Sequence, residues 1–130
     1  MDEQGVAVVK AQDGVDKVQG FTYFHGVSKE AVGAQRLAMH VGVLPPGMQG
    51  PAHTHAEHES AVYVLEGTAL IRWGHRLEHE ATAGPGDFVF VPAGMPHQAI
   101  NPSATEPCRT VIARTDPSEK EAAVLVEIPS

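Results

Sequence analysis

Three histidines and two glutamates fall within residues 51–60, PAHTHAEHES, of a chain that has eight histidines in all. Neutral imidazoles and carboxylates are the common protein ligands of divalent transition metals, so this stretch holds the donors of a mononuclear site. His53 and His55 are two residues apart, which puts both rings on one side of an extended strand but on nearly opposite sides of a helix. Pro45, Pro46, Gly47, Gly50 and Pro51 lie just upstream and disfavour a helix. The spacing therefore predicts a strand edge that aims His53 and His55 together. A solvated histidine-rich loop would show the same residues, so the pair needs support from elsewhere in the chain.

That support comes from residues 86–101, GDFVFVPAGMPHQAIN, where a glycine turn leads into an apolar strand and then to Pro92, Gly94, His97 and Asn101. Gly86, Pro92, Gly94, His97 and Asn101 match all five fixed positions of the second cupin motif, and a chance match is on the order of one in a million per starting position. The first cupin motif resembles the stretch from Gly47, through His53-Thr54-His55, to the closing strand and turn Tyr63-Val64-Leu65-Glu66-Gly67. The two motifs run over about 47–67 and 86–101, joined by a hairpin over 68–85, so the chain is identified as similar to small single-domain cupins. The resemblance implies an all-β fold, a double-stranded β-helix or jelly-roll barrel spanning residues 1–130, with one divalent metal ion (Fe, Mn, Ni or Zn) held inside by histidines and a carboxylate. His97 would then join His53 and His55 across the barrel interior.

The carboxylate departs from the pattern. Glu59 is four residues after His55, whereas the count back from Gly67 reaches Ser60, so one residue is in excess. A β-bulge near Ala61 would absorb it and turn Glu59 inward, because a bulge sets two residues of one strand against one of its neighbour. The expected ligand set is therefore His53, His55, Glu59 and His97. Glu57, His58 as a fourth imidazole, or three histidines with Ser60 beside them remain alternatives.

The elements that must position these residues are short strands. Thirteen glycines and ten prolines recur between short apolar runs. Strands are expected over Phe21–Phe24, Gln35–Leu44, Ser60–Leu65, Ala69–Trp73, Phe88–Val91, Arg109–Arg114 and Val124–Ile128, with a single helical turn conceivable at residues 118–123. AVYVL and FVFV are apolar at successive positions, which predicts burial of both faces.

The remaining polar residues read as structural. His75-Arg76-Leu77-Glu78-His79 has the spacing of a zinc peptidase motif, but that chemistry requires a helix, and the flanking Trp73-Gly74 and Ala83-Gly84-Pro85-Gly86 predict an exposed hairpin. His25 and His40 lack ligand spacing. Arg72 and Trp73 alternate on a strand, with Trp73 expected inside and Arg72 outside; the reverse would bury a guanidinium that needs an anion. Asn101 is expected to brace the turn after His97. The lone Cys108 is expected to be an inert core residue and fits a reducing compartment.

A chain of 130 residues fits one core, and a net charge of -7 with scattered Lys and Arg argues against a nucleic-acid partner. No apolar run approaches the roughly 20 residues of a membrane helix, and the N-terminus lacks a secretory signal, so a cytoplasmic protein without membrane contact is expected. The expected partner is a small-molecule substrate or ligand. Exposed edges and a limited core further predict a homodimer paired through N-terminal strands. Fold alone does not choose a chemistry. The expectation is a metal-dependent enzyme of dioxygenase, isomerase or lyase type, with no catalytic residue assigned beyond the ligands; the alternative is a non-catalytic binding or sensing barrel.

Overall fold

A computed structural model describes residues 5–11, 14–18, 21–119 and 124–127. Among the described residues, eleven strands and one short helix follow one another: β1 (Val15–Val18), β2 (Phe21–Val27), α1 (Lys29–Val32), β3 (Ala38–Leu44), β4 (His53–Thr54), β5 (Ser60–Glu66), β6 (Ala69–Trp73), β7 (His79–Ala83), β8 (Phe88–Val91), β9 (His97–Ile100), β10 (Cys108–Arg114) and β11 (Val124–Leu125). They form a six-stranded sheet in the order β1-β2-β3-β10-β5-β8 and a five-stranded sheet in the order β11-β4-β9-β6-β7. Every ladder is antiparallel. Strands distant in sequence are interleaved, β10 between β3 and β5 and β9 between β4 and β6, which is the wrapped order of a jelly roll. Among the described residues no helix is long and apolar enough to cross a membrane.

Alternation places the core between the sheets. Along β3, Ala38, His40, Gly42 and Leu44 are buried and the residues between them are not. Leu44, Val64 and Cys108 from the larger sheet meet Ala69 and Ala83 from the smaller one, with Phe21, Ile71, Val89 and Ala99 packed around them. Turns with left-handed backbone join the strands. Gly67 ends β5 at φ 81, where a Cβ would stand 2.3 Å from the Pro107 carbonyl oxygen, so both conformation and space require glycine. Asn101 is 1% exposed and closes the loop after β9: its Nδ2 donates to the Leu44 and Glu106 carbonyls (3.0 and 2.8 Å) and its Oδ1 accepts from the Ser103 N–H.

The expected strands lie where the sequence puts them: β6 and β8 match, β2, β5 and β10 run one to three residues longer, and β3 is trimmed at its start. Gln35 to Leu37 precede β3, and the helix α1 before them adds an element that the sequence does not announce; Ser28 caps it by accepting from the Ala31 N–H, and Gly33 ends it at φ 73. The segment of residues 120–123 and the strand end at Ile128 lie outside the described residues.

One expectation is corrected. The apolar runs are not buried on both faces: Val62 and Val64 point inward, but Tyr63, Leu65, Phe88 and Phe90 are exposed on the outside of the larger sheet. Register aligns Val15, Phe24, Val41, Val111, Tyr63 and Phe88 as one apolar row across all six strands. Beside it, Arg109 and Glu66 form an ion pair at 3.1 Å.

Candidate metal centre

Two neighbouring strands of the smaller sheet build the cluster. The run Pro45–Pro51 carries the chain away from β3, and β4 begins at His53, which stands directly opposite His97 on β9. One residue past β4, strand alternation returns His55 to the same side; Ala56 then turns the chain at φ 50, and the His58 N–H donates to the His55 carbonyl. All three histidines are buried. Their ring centroids are 4.8 Å (His53–His55), 4.4 Å (His53–His97) and 5.2 Å (His55–His97) apart.

Hydrogen bonds aim the rings. His53 Nδ1 lies 2.9 Å from the Pro51 carbonyl oxygen, and His97 Nδ1 lies 2.8 Å from that of Met95. A carbonyl can only accept, so each Nδ1 carries the proton and each Nε2 presents its lone pair. His53 Nε2 and His55 Nε2 are 3.1 Å apart, and one donor atom from each of the three rings falls within 4.8 Å of the others. Zinc–imidazole bonds are roughly 2.0–2.1 Å long, so atoms this close can occupy neighbouring positions on one ion.

Burial keeps two of the three rings, His55 and His97, unprotonated. Burial pushes His55 down to about 3, and the nearby His53, His97, Arg114 and His58 lower it further. Burial also pushes His97 down to about 4, against the Met95 carbonyl, which favours its charged form. Both rings are neutral at pH 7, the state a metal requires. Three convergent imidazoles fit any of Fe, Mn, Ni and Zn.

The structure does not bring Glu59 to this cluster. The ladder between β5 and β8 runs in unbroken register from Ser60 to Tyr63, so no bulge occurs at Ala61; the irregularity in β5 falls instead at Leu65, where its pairing with β10 shifts. Glu59 is exposed and is held by its backbone, which donates to Thr115 Oγ1 and accepts from the Thr115 N–H. Straight pairing hands the inward position to Ser60, which is 6% exposed and lies between Arg114 and Val91 on the adjacent strands. Ser60 Oγ has no hydrogen-bond partner among the described residues. Glu57 is exposed, and His58 sits 3.8 Å from the Asp116 carboxylate.

His97 opens onto a cavity of about 440 Å³ between the edges β7 and β8. Its walls include Ile71, Trp73, Val89, Val91 and Met95. Such a volume suits an organic molecule of one or two rings, since ligand pockets span roughly 300–1,000 Å³.

The other singled-out residues stay outside the centre. Trp73 faces inward beside His97, and Arg72 pairs outward with Glu80 at 3.4 Å. His75 and His79 belong to the β6–β7 hairpin, His79 stacking on Trp73 at 5.6 Å. His25 and His40 are buried on the larger sheet: His25 Nε2 is 3.5 Å from Asp16 Oδ2, and His40 meets Tyr23 edge-on. Cys108 is buried and its thiol is held up by that burial, which makes it a poor nucleophile. Sequence reasoning missed the cavity walls formed by Ile71, Val89, Val91 and Met95, for which uncertain strand parity gave no firm signal, whereas Ser60 beside three histidines was one of its alternatives.

Comparison with known proteins agrees with this architecture. The polyketide cyclase RemF from Streptomyces resistomycificus superposes with a TM-score of 0.74 at 23% identity, over 97% of this chain and 89% of that one. Oxalate decarboxylase from Bacillus subtilis superposes at 0.76 with 20% identity, over 95% of this chain and 33% of that one. An oxalate oxidase reaches 0.67 at 18% identity, over 83% of this chain and 56% of that one. At these identities the likeness establishes the fold. No curated protein matches the sequence. The cupin domain family model matches residues 40–113, a span that holds both histidine-bearing strands, and on that match the chain belongs to the cupin family.

Proposed function

We propose that this cupin is a metal-dependent enzyme in which His53, His55 and His97 hold one divalent ion and a small organic substrate sits in the adjoining cavity. The observation that carries the reading is the convergence of three buried imidazoles, two of them aimed by backbone carbonyls, at the head of a cavity that reaches His97. When bound, the ion would supply Lewis-acid polarisation of a substrate oxygen or, with iron, redox chemistry. The residues of the chain supply the rest. The Pro51 and Met95 carbonyls fix the tautomers, the apolar walls displace water from the substrate, and Trp73 offers a ring face beside His97. Oxygenase chemistry with iron and isomerase or lyase chemistry with zinc, manganese or nickel are the classes this arrangement serves. The enzymes among its structural relatives, a polyketide cyclase and oxalate-converting enzymes, support a catalytic role for the fold.

The test is elemental analysis of untagged protein purified anaerobically without added metal, followed by turnover assays matched to the metal found. Near one equivalent of metal with turnover of a small carbonyl or enol compound supports the proposal. Metal and ligand binding without turnover would make the chain a binding module. No metal uptake, even on reconstitution, would overturn the proposal.

A further inference from the structure

The barrel holds a second cavity behind the first. It has a volume of about 90 Å³ and lies between the two sheets, where Val64 and Cys108 of the larger sheet meet Ala69 and Ala99 of the smaller one. Stacked sheets stand roughly 10 Å apart, so alanine on one side and valine or cysteine on the other leave the gap part-filled. Gly42 on β3 could not supply the missing volume, because a methyl group there would come within 3.0 Å of Ile112 Cδ1 and 3.2 Å of Tyr23 Cε1. Protein interiors are otherwise close-packed, and a void costs stability in proportion to its size. One larger side chain at Ala69 or Ala99 would fill this one, so its retention calls for an occupant.

The walls say what that occupant is. A buried water needs two to four polar partners. Only Thr110 and Cys108 among the lining residues carry a polar side-chain atom; the Thr110 hydroxyl already donates to the Gly42 carbonyl at 3.2 Å, and a thiol is a weak partner. The chamber is therefore dry. Dry apolar voids take up small apolar molecules, as an engineered cavity of about 150 Å³ takes up benzene or xenon. A smaller space admits only a molecule of a few atoms. Ile71 of β6 and Val89 of β8 line both this chamber and the outer cavity that reaches His97, so the two spaces share a wall.

We infer that the chamber is a binding site for dioxygen, held behind Ile71 and Val89 next to the cavity in which the substrate sits. An apolar gas favours such a space over water, where it must open a cavity of its own. Occupancy depends on the chamber alone, and use of the gas as a co-substrate rests on the oxygenase form of the function proposed above.

The test uses the full chain with its alanine, valine, leucine and isoleucine methyl groups labelled for NMR, loaded with diamagnetic zinc and equilibrated under dioxygen or nitrogen pressure. Dioxygen is paramagnetic and speeds the relaxation of methyl groups near which it resides. The expected enhancement at Val64, Leu44 and Ala69 is at least about threefold that at Ala38, which is 1% exposed but lines neither cavity. Ala69→Val and, independently, Val64→Ile put extra carbon into the chamber and are expected to cut the enhancement at Leu44 by about half or more. If one of them fails to fold, the other carries the comparison. Equal enhancement at Val64 and Ala38, magnetisation transfer from an ordered water to the Val64 methyls, or undiminished enhancement in a folded filled variant would overturn the inference. The same measurement on metal-free chain separates the two readings: protein that takes up no metal would end the catalytic proposal without moving these relaxation rates.

Discussion

His53 and His97 face each other across the β4–β9 ladder, and each gives its Nδ1 proton to a carbonyl two residues upstream, at Pro51 and Met95. The same local device on two strands points both Nε2 atoms at one place. Neither ring has to reorganise to bind an ion.

His97→Ala should therefore lose most bound metal, from near one equivalent to about a tenth or less, because the two remaining histidines make a weak site. His75→Ala, on the β6–β7 hairpin, should leave the content unchanged. Elemental analysis with a circular dichroism check of folding reads both; full metal retention in His97→Ala would show that the centre lies elsewhere.

Stability of the metal-free protein should fall in acid. Burial, aided by Arg114 and His25, pushes His40 down to about 3, below its ordinary value of 6.5. Between those values the unfolded chain binds the proton and the folded chain does not, so the stability is fully present above about pH 6.5 and is lost as pH falls toward 3. His55 and His97 act in the same direction. His40→Gln should shrink the loss between pH 7 and pH 5 by about 2 kcal/mol without abolishing it, as read by urea unfolding at the two pH values.

Two turn glycines should respond unequally to alanine. Gly67→Ala meets both a positive φ and the Pro107 carbonyl, whereas a methyl group added at Gly86, φ 89, would have nothing within 4 Å. Gly86→Ala should cost about 1–2 kcal/mol, the conformational penalty alone, and Gly67→Ala clearly more. Chemical denaturation of both variants gives the comparison.

Asn101→Ala should destabilise the fold by about 3 kcal/mol while sparing the metal. The buried amide ties the loop to Leu44, Glu106 and Ser103 at once, and truncation leaves those buried backbone groups without their partner. A variant as stable as wild type would show that water replaces the amide without loss.

The homodimer expected from the sequence would be formed by a second copy covering the apolar row from Val15 to Phe88 and the edge strand β1. Light scattering should then give about twice 13.8 kDa at micromolar concentration, and Phe88→Glu should lower it. A concentration-independent monomer would remove this expectation.

The legible parts of the molecule were those under strict local constraint. His53 and His55 share a face because strand alternation has a period of two, and Gly67, Gly86 and Gly94 were readable because their backbones take positive φ. Glu59 was misplaced because inward and outward parity on β5 depends on where the bulge falls, and pairing with β8 and β10 decides that. β9 has four residues of mixed polarity, His97-Gln98-Ala99-Ile100, too few for periodicity to reveal it as a strand. The cavity arises where β7 and β8 meet from opposite sheets, a relation set by topology rather than by any local run of residues.

The straight register of β5 makes the centre sensitive to a single codon. Removal of Ser60 would leave Glu59 seven residues before the turn at Gly67 and four after His55, satisfying both counts at once and carrying its carboxylate to the inward slot opposite Val91. One deletion, with no change to any histidine, would set a carboxylate where the Ser60 hydroxyl now stands.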